Sequence, residues 1–418
     1  MSKTKNKWKK LDNAAKIFPS SSTRADTHVF RFSCELDAPI EPSLLQEALD
    51  ETAKSFPIFG YVLRRGVFWY YLEASTLEPH VTQERRHLCA PLYHPTARTL
   101  LYAVSYFGST VNLEVYHVIS DGTGAMHFLR TLIMHYLARK NDIPRENLGY
   151  ETAHAGMNDD SFHRYSSPKP MERLGLPCAA LLRGSKLSEN RTGLIRGTMQ
   201  LAPLLEAAHA HHVTLTAYLC GCLLSAIGEE LSVRARRRPV ILNIPVNLRN
   251  YLASDSVRNF FTPIYVSYDF ARGDGTLPDI LARVTETFSH ELVRERLIER
   301  FNSLTAFEDN IIARITPLPI KDLVLHNAYR NSGKKYTATL SNIGIVQMPE
   351  AYLPHIRGFH VCNATNKMQL CVCSFGDKIS LSLTSPYTNT NIQRRFFRHL
   401  QTLDSTLCIE SNLQDDDS

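Results

Sequence analysis

Long hydrophobic runs are missing from this 418-residue sequence. The longest one, residues 215–227, is interrupted by threonine, tyrosine and glycine and is too short to cross a bilayer, so we expect a buried core helix there and no transmembrane segment. The lysines near the N-terminus are not followed by an apolar stretch, so we expect no secretory signal. A chain of this length can form two or three domains with well-buried cores.

A large excess of one charge is also absent. The 47 lysines and arginines against 41 aspartates and glutamates leave a net charge of +6, which permits anionic ligands. No aromatic-plus-basic recognition motif accompanies this charge, so we expect no nucleic-acid partner. Four arginines, at 234 and 236–238, follow the predicted core helix. They could contact the phosphates of a ligand, but we favour a solvated cluster that caps the end of the helix.

The nine cysteines do not form the paired motifs of metal or redox sites. Such sites usually have two residues between their cysteines, whereas one residue separates Cys220 from Cys222 and Cys371 from Cys373. We therefore predict buried, reduced thiols and no metal site. An odd number of cysteines without a secretory signal favours a cytoplasmic location.

The predicted helices and strands divide the chain into two α+β halves. The first half is residues 1–165, the second is residues 196–418, and a polar, proline-bearing linker at 166–195 joins them. Hydrophobic periodicity is the basis of these predictions. Strands are predicted at 28–36, 61–72 (a hairpin), 99–107, 111–117, 239–246, 260–270, 336–346, 359–375 and 378–384, and helices at 42–56, 124–139, 201–210, 215–231, within 276–329 and at 391–403.

One short segment, residues 116–122, joins a predicted strand to a predicted helix and carries His117, Asp121 and Gly122. A histidine can act as a base near neutral pH, and a glycine lets the backbone turn sharply behind it. Asp121 could orient the histidine as the acid of a triad, or it could cap the helix and pair with a buried arginine. We favour the anchoring role, because no G-x-S-x-G or comparable cysteine motif supplies a nucleophile.

A histidine in this setting suits the transfer of an acyl group from a thioester to an alcohol. The alcohol is a poor nucleophile at pH 7, and general-base help is typically worth about a hundred- to ten-thousand-fold in rate. The tetrahedral oxyanion also needs hydrogen-bond donors, worth about 3 to 4 kcal/mol for one good group. His117 can be the base, whereas the oxyanion donors must come from another segment.

The motif resembles a known signature. His117, Asp121 and Gly122 match the H-x-x-x-D-G motif of the chloramphenicol acetyltransferase-like superfamily, which includes condensation domains, plant BAHD acyltransferases, wax ester synthases and bacterial alcohol acetyltransferases. The beginning of the chain, with Trp8 and residues 11–15 and 17–19, is most similar to the bacterial alcohol acetyltransferases. Other segments that resemble relatives in the same order are residues 211–216, 245–249, 257–261 and 341–344.

The resemblance implies two chloramphenicol acetyltransferase-like halves arranged in a V, with a tunnel between them. His117 would lie in the tunnel and act as general base without a covalent intermediate, and Asp121 would form a structural ion pair with Arg249. Ser341 and Asn342 are the implied contacts of the oxyanion or the substrate. The resemblance implies no permanently bound cofactor: acyl-CoA or another phosphopantetheine thioester would be the co-substrate, a small alcohol the acceptor, and the enzyme a monomer.

Three departures from the relatives concern the donor. Tyr116 stands where condensation domains usually have a second histidine, no carrier-protein or adenylation module is found, and the D-F-G-W motif of the plant enzymes is missing. These departures favour a free-standing O-acyltransferase that uses acyl-CoA. Two alternatives stay open: a condensation-type enzyme that forms an ester or amide from a carrier-protein thioester, and a non-catalytic relative that binds thioesters.

Overall fold

The computed structural model describes residues 8–12, 14–144, 175, 177–254, 256–305 and 315–413. These residues form helices and three sheets, and the α+β class predicted from the sequence is confirmed. Among the described helices, none is by itself long and apolar enough to cross a bilayer. The consecutive helices Leu201–Ala210 and Leu215–Glu230 reach that length together, but they are bent by 85° at their junction.

The described elements include strands and helices at the predicted positions and five elements that were not predicted: β1, β5, β8, β15 and α1 of the following series. In chain order, strands β1 to β15 are Trp8–Lys10, Val29–Leu36, Tyr61–Arg65, Tyr70–Ala74, Val81–Gln83, Tyr102–Phe107, Thr110–Tyr116, Gly193–Gln200, Val240–Asn247, Phe261–Tyr268, Ala338–Ile345, Ile356–Asn363, Met368–Phe375, Lys378–Ser385 and Cys408–Ser411. Helices α1 to α9 are Ile17–Ser21, Pro42–Ser55, Gly122–Lys140, Leu201–Ala210, Leu215–Glu230, Leu277–Glu291, Arg294–Thr305, Leu318–Ser332 and Asn391–Gln401.

Two large sheets contain most of the strands. The five-stranded sheet has the order β12-β2-β7-β6-β5, and the seven-stranded sheet has the order β10-β9-β11-β13-β14-β8-β15. A small third sheet, β1-β4-β3, contains the predicted hairpin. The division at 166–195 stays a prediction, because residues 166–174 and 176 lie outside the described part of the chain. The last residues of that range already belong to β8.

Strand β12 carries the second half of the chain into the sheet of the first half. It pairs antiparallel with β2, so that Val361 lies opposite Phe32 and Asn363 lies opposite Phe30. The prediction of one strand at 359–375 is therefore wrong, because residues 364–367 separate β12 from β13 and the two strands belong to different sheets. These four residues include no glycine or proline, the residues that usually mark a break between strands.

Each large sheet has its own hydrophobic core. The core of the first half lies between the five-stranded sheet and helices α2 and α3, where Phe59 and Phe128 stack with ring centroids 4.4 Å apart. The core of the second half lies between the seven-stranded sheet and helices α5, α6 and α9. Thr214 caps α5 by accepting a hydrogen bond from the backbone of Ala217. All nine cysteines are free thiols, and seven of them are buried.

Candidate active site

His117 follows directly after β7, in the five-residue loop that leads to α3. Its backbone N–H donates to the carbonyl of His28 at 2.9 Å, which continues the pairing of β7 with β2 beyond the end of both strands. Its ring is partly buried among aromatic side chains. Ring-centroid distances are 4.7 Å to Phe30, 5.1 Å to Phe18 and 5.7 Å to Phe261.

Asn259 fixes which nitrogen of His117 carries the proton. The amide nitrogen of Asn259 donates to the carbonyl of His117 at 2.9 Å and to Asp12 Oδ2 at 3.1 Å, and both partners can only accept. Asn259 Oδ1 must therefore face the ring, where it lies 3.0 Å from His117 Nδ1. Since a carbonyl oxygen can only accept, Nδ1 carries the hydrogen and Nε2 is left with a lone pair.

The surroundings keep this histidine neutral. Burial is the largest effect on the pKa of His117 and lowers it from the ordinary value of 6.5. The hydrogen bond to Asn259 and the charge of Asp121 act in the opposite direction, because they stabilise the protonated ring. A neutral imidazole with a free Nε2 is the form that can accept a proton at pH 7.

Asp121 does not hydrogen-bond to the His117 ring in the described structure; it holds the loop that carries Asn259. Its Oδ1 caps α3 by accepting from Gly124 N at 3.1 Å. Its Oδ2 accepts from Phe260 N at 2.9 Å and from Arg249 Nη1 at 2.7 Å. One of these three partners belongs to α3 and the other two to the segment after β9, so the carboxylate joins the two halves next to His117.

Arg249 uses its remaining donors on the same loop. Its guanidinium donates to the carbonyl of Ser256 at 2.7 and 3.1 Å and to that of Arg258 at 2.6 Å. The segment from 256 to 260 is thus held at its carbonyls by Arg249 and at Phe260 N by Asp121. Asn259 lies between the anchored carbonyl of Arg258 and the anchored N–H of Phe260.

Gly122 does not have the backbone role expected from the sequence. It is the first residue of α3, and its φ is not in the left-handed region that favours glycine. A Cβ at this position would lie 2.9 Å from Ile343 Cδ1 across the cavity, so the glycine leaves room for a side chain of the second half. The expectation that Gly122 permits a sharp turn is therefore wrong.

His117, Asp121, Gly122, Ser341 and Asn342 all line one cavity of about 260 Å³, whereas Arg249 stands behind it. The amide of Asn342 is oriented by two hydrogen bonds: its nitrogen donates one hydrogen to Thr216 Oγ1 at 3.0 Å, and its oxygen accepts from Gly344 N at 2.9 Å. The cavity is lined by apolar and by polar side chains, and the polar set is called the polar wall below. The apolar side chains are Phe18, Phe30, Phe32, Phe261, Ile343 and Val361, and the polar ones include Asn243, Thr339, Asn363, Thr365 and Gln369.

Two amide oxygens on the polar wall, Asn243 Oδ1 and Asn363 Oδ1, are buried from solvent and have no hydrogen-bond partner among the described residues. Leaving a buried acceptor unsatisfied costs about 1 to 3 kcal/mol, so such atoms in a cavity wall indicate where a ligand donates hydrogen bonds. The volume is just below the roughly 300–1,000 Å³ typical of small-molecule sites.

A second cavity of about 430 Å³ adjoins the first, and Tyr329 and Tyr336 line both. Burial lowers the pKa of Lys367 in its wall to about 8, and the ammonium group donates to the carbonyl of Tyr336 at 2.7 Å. The basic side chains that line this second cavity are Lys186, His326, Arg330, Lys334 and Lys367.

The arginine cluster at 234–238 is only partly used for capping. Arg236 Nη2 donates to the carbonyl of Gly228 at 2.9 Å near the end of α5, as the favoured interpretation expects. Arg234 and Arg238 line a third cavity, of about 490 Å³, together with Arg183.

Sequence reasoning missed Asn259, Asp12 and the two asparagines of the polar wall. Asn259 belongs to the segment 257–261 that resembles relatives, but no role followed from it, because its partner His117 is 142 residues away. Asn243 and Asn363 lie on β9 and β12, whose sequences have the pattern of ordinary strands. The signal that could have identified Asn243 and Asn363 is a polar side chain at a strand position that faces another sheet, where an apolar side chain is expected.

No protein-family model and no curated protein match the chain. Solved structures do: polyketide synthase associated protein 5 from Mycobacterium tuberculosis, F. graminearum TRI101 in complex with coenzyme A and T-2 mycotoxin, and the first condensation domain of the CDA synthetase. Sequence identities are 14%, 11% and 14%, and TM-scores are 0.60, 0.64 and 0.62. The alignments cover 95%, 96% and 97% of this chain and 97%, 99% and 97% of the others. The fold implied by the resemblance is confirmed.

Proposed function

We propose that this protein is a CoA-dependent O-acyltransferase that moves an acetyl or other acyl group from a thioester to an alcohol, with His117 as the general base. The observation that supports this most directly is the hydrogen bond from His117 Nδ1 to Asn259, which leaves Nε2 of a cavity-lining histidine as proton acceptor. The similar folds also support it, since they include a condensation domain and F. graminearum TRI101, whose structure contains bound coenzyme A.

The reaction needs one proton to move twice. As the acceptor oxygen attacks the thioester carbonyl, its proton passes to His117 Nε2, and a tetrahedral oxyanion forms. Collapse of this intermediate breaks the carbon–sulfur bond, and the departing thiolate takes the proton back from Nε2. The ester and the free thiol leave, and His117 returns to its neutral form without a covalent acyl-enzyme. Asn259 Oδ1 stabilises the transient imidazolium through the Nδ1 hydrogen.

The donor is proposed to bind through the second, basic cavity. Coenzyme A carries phosphates at one end, two amide N–H groups in its pantetheine arm and the thioester at the other end. Arg330, Lys334 and Lys367 can pair with the phosphates. The unpartnered oxygens of Asn243 and Asn363 can accept from the pantetheine amides on the way to His117. This order of cations, acceptors and base favours acyl-CoA over a carrier-bound thioester, which has a single phosphate.

The oxyanion donor is proposed to be Ser341. Of the two residues that the resemblance implies, Asn342 already commits one amide hydrogen and its amide oxygen to partners in the second half. Ser341 lines the cavity on β11. Its hydroxyl can donate to the oxyanion, and we expect a loss of roughly a hundred- to a thousandfold in kcat when such a donor is removed.

The cellular setting is proposed to be the cytoplasm, with the chain acting as a monomer. The nine free thiols support the location, because a reducing compartment keeps cysteines in that state. Light scattering on the purified protein would test the oligomeric state.

Mass spectrometry of the products tests the proposed activity. The purified protein is offered acetyl-CoA with a panel of alcohols and amines and, in parallel, the same acetyl group on a phosphopantetheinylated carrier protein. Ester formation from acetyl-CoA alone is the expected result. Products from the carrier thioester alone would favour the condensation-type alternative, and binding of acetyl-CoA without turnover of any acceptor would favour a non-catalytic relative.

A further inference from the structure

We propose that Asp12, on the segment that precedes α1, is a positioning residue that holds His117 in its base-competent form through the amide of Asn259. The inference rests on the proposed role of His117 as a base. It assigns part of the active site to a segment outside the H-x-x-x-D-G motif and outside both large sheets.

Asp12 is fully buried and is held in place by hydrogen bonds. Its side chain is 0% exposed, and its Oδ1 accepts from Ala15 N at 2.7 Å. The segment before it is also held, because Lys9 and Lys10 of β1 pair with β4, and Arg258 Nη2 donates to the carbonyl of Lys10 at 2.8 Å. A carboxylate anchored in this way keeps its second oxygen pointed at Asn259 Nδ2, 3.1 Å away.

The direction of the Asn259 amide depends on this carboxylate. The two ends of an asparagine amide have nearly the same shape, so the neighbouring donors and acceptors decide its orientation. Asp12 Oδ2 and the His117 carbonyl both require the nitrogen on their side. Without the carboxylate, one of these two constraints is lost. A rotated amide would present its nitrogen to His117 Nδ1, and the hydrogen would have to move to Nε2, where it blocks proton acceptance.

The charge of Asp12 also strengthens the chain of hydrogen bonds. A carboxylate that accepts from the amide nitrogen polarises the amide, so that its oxygen becomes a better acceptor for the Nδ1 hydrogen. The result is a carboxylate–amide–imidazole chain in which the negative charge favours the imidazolium formed during transfer. This is the role that a triad aspartate plays by direct contact.

Other charged and titratable groups face the same ring and must be kept constant in a test. Asp121 raises the pKa of His117 and His28 lowers it. Arg249 neutralises Asp121 at 2.7 Å, and Arg258 Nε stands 3.6 Å from Asp12 Oδ2, where it reduces but does not remove the effect of the carboxylate. Replacing Asp12 or Arg258 should therefore move the His117 titration in opposite directions.

NMR of the full-length protein labelled with ¹⁵N-histidine tests the proposal without a substrate. Long-range ¹H–¹⁵N spectra report the tautomer and the titration of each ring, and the His117 signals are assigned by their loss in His117→Gln. In the native protein we expect His117 to be the Nδ1–H tautomer. In Asp12→Asn, we expect the Nε2–H tautomer to gain population and the titration midpoint of His117 to fall. Asp404→Asn is the matched control, since Asp404 is also nearly buried and caps local backbone groups.

A second variant protects the test against a simple loss of folding. Arg258→Gln removes the cation beside Asp12, and we expect it to raise the His117 titration midpoint. The proposal is supported if the His117 titration midpoint moves in opposite directions in Asp12→Asn and Arg258→Gln and does not move in Asp404→Asn. If Asp12→Asn does not fold, a higher midpoint in Arg258→Gln is the supporting result. An unchanged tautomer and midpoint in the folded variants would overturn it.

The failure of this proposal can be told apart from the failure of the proposed function. If the spectra change as expected but no acyl transfer is found with any acceptor, Asp12 still orients His117 and the proposed function is the part that fails. If transfer is found and Asp12→Asn keeps the native kcat and the native spectra, the proposed function stands and the positioning role is wrong. In an active enzyme, Asp12→Asn should lower kcat while the KM for acetyl-CoA stays within about twofold, because Asp12 lines no part of the substrate cavity.

Discussion

Asp121 and Arg249 form a 2.7 Å ion pair with side chains only 7% and 11% exposed. The pair connects the motif loop of the first half to the segment that carries Asn259. The motif aspartate therefore affects His117 indirectly, because it holds the loop that sets the tautomer of this ring. On the proposed mechanism, this explains why a motif can require an aspartate that does not contact the ring of the base.

Breaking this pair should cost stability as well as rate. Removal of one partner leaves a buried charge alone, so Asp121→Ala and Arg249→Ala should each lower the free energy of unfolding by about 3 to 5 kcal/mol. Urea denaturation measures this. Arg283→Ala is the control, because Arg283 and Glu286 form an exposed pair, and exposed pairs are worth at most about 1 kcal/mol. Equal losses in the buried and exposed variants would refute the anchoring role.

Two glycines at the start of α3 should respond differently to alanine. A Cβ on Gly124 would overlap the Val257 carbonyl and Ser120 Oγ, so Gly124→Ala should cost up to about 3 kcal/mol or prevent folding. At Gly122 the nearest atom belongs to the flexible Ile343 side chain, so we expect a loss below about 1 kcal/mol for Gly122→Ala. Thermal unfolding of both variants measures the contrast, and greater damage from Gly122→Ala would contradict the structure.

The protein should lose stability as the pH falls below about 6.5. Burial lowers the pKa of His28, His117 and His360 from 6.5 and that of His127 to about 4. The unfolded chain therefore binds more protons than the folded one below 6.5, so this stability is fully present above that pH and is lost toward pH 4. Urea midpoints at pH 7.5, 6 and 5 measure the loss.

His127→Gln serves as the internal check on this pH effect. It should make the urea midpoint less sensitive to acid, whereas His94→Gln, at an exposed position, should leave the sensitivity as it is. A native protein as stable at pH 5 as at pH 7.5 would show that the buried histidines take up protons in the folded state.

The basic cavity should matter only for donors that carry phosphates. The double variant Arg330→Ala/Lys334→Ala should raise the KM for acetyl-CoA by about tenfold or more, since a hydrogen bond to a charged group contributes about 1.5 to 3 kcal/mol. The KM for the acetyl thioester of N-acetylcysteamine, which has no phosphate, should not change. Lys378→Ala is the control, because Lys378 lies at the turn between β13 and β14 and does not line this cavity. Parallel changes for both donors would contradict binding of the donor through this cavity.

Local sequence patterns predicted where strands and helices form better than they predicted which strands pair with each other. Alternating apolar residues were enough to place β2, and helical spacing was enough to place α2 and α3. The crossing of β12 into the first sheet could not be predicted, because both sheets accept a strand with the same alternation. Which sheet it joins depends on contacts more than 300 residues apart in sequence, such as those with Val29–Leu36.

The same limit applied to the candidate site. His117 and Asp121 were found from a motif of six residues, and Arg249 came from the resemblance. Asn259 and Asp12 act through hydrogen bonds to partners 142 and 247 residues away, and an isolated polar residue carries no periodic signal. Gly122 was given a backbone role because glycine often has one, whereas its actual constraint is a side chain from the other half.

The central claim is that His117 is the general base, and the rate of acetyl-CoA turnover by His117→Ala tests it most directly. Free thiol is measured with the acceptor alcohol that the native enzyme uses, and the melting temperature is measured in parallel. We expect the rate to fall by about a hundred- to ten-thousand-fold while the melting temperature stays nearly unchanged, because the side chain is partly exposed to the cavity. A folded His117→Ala protein with the native rate would contradict the claim.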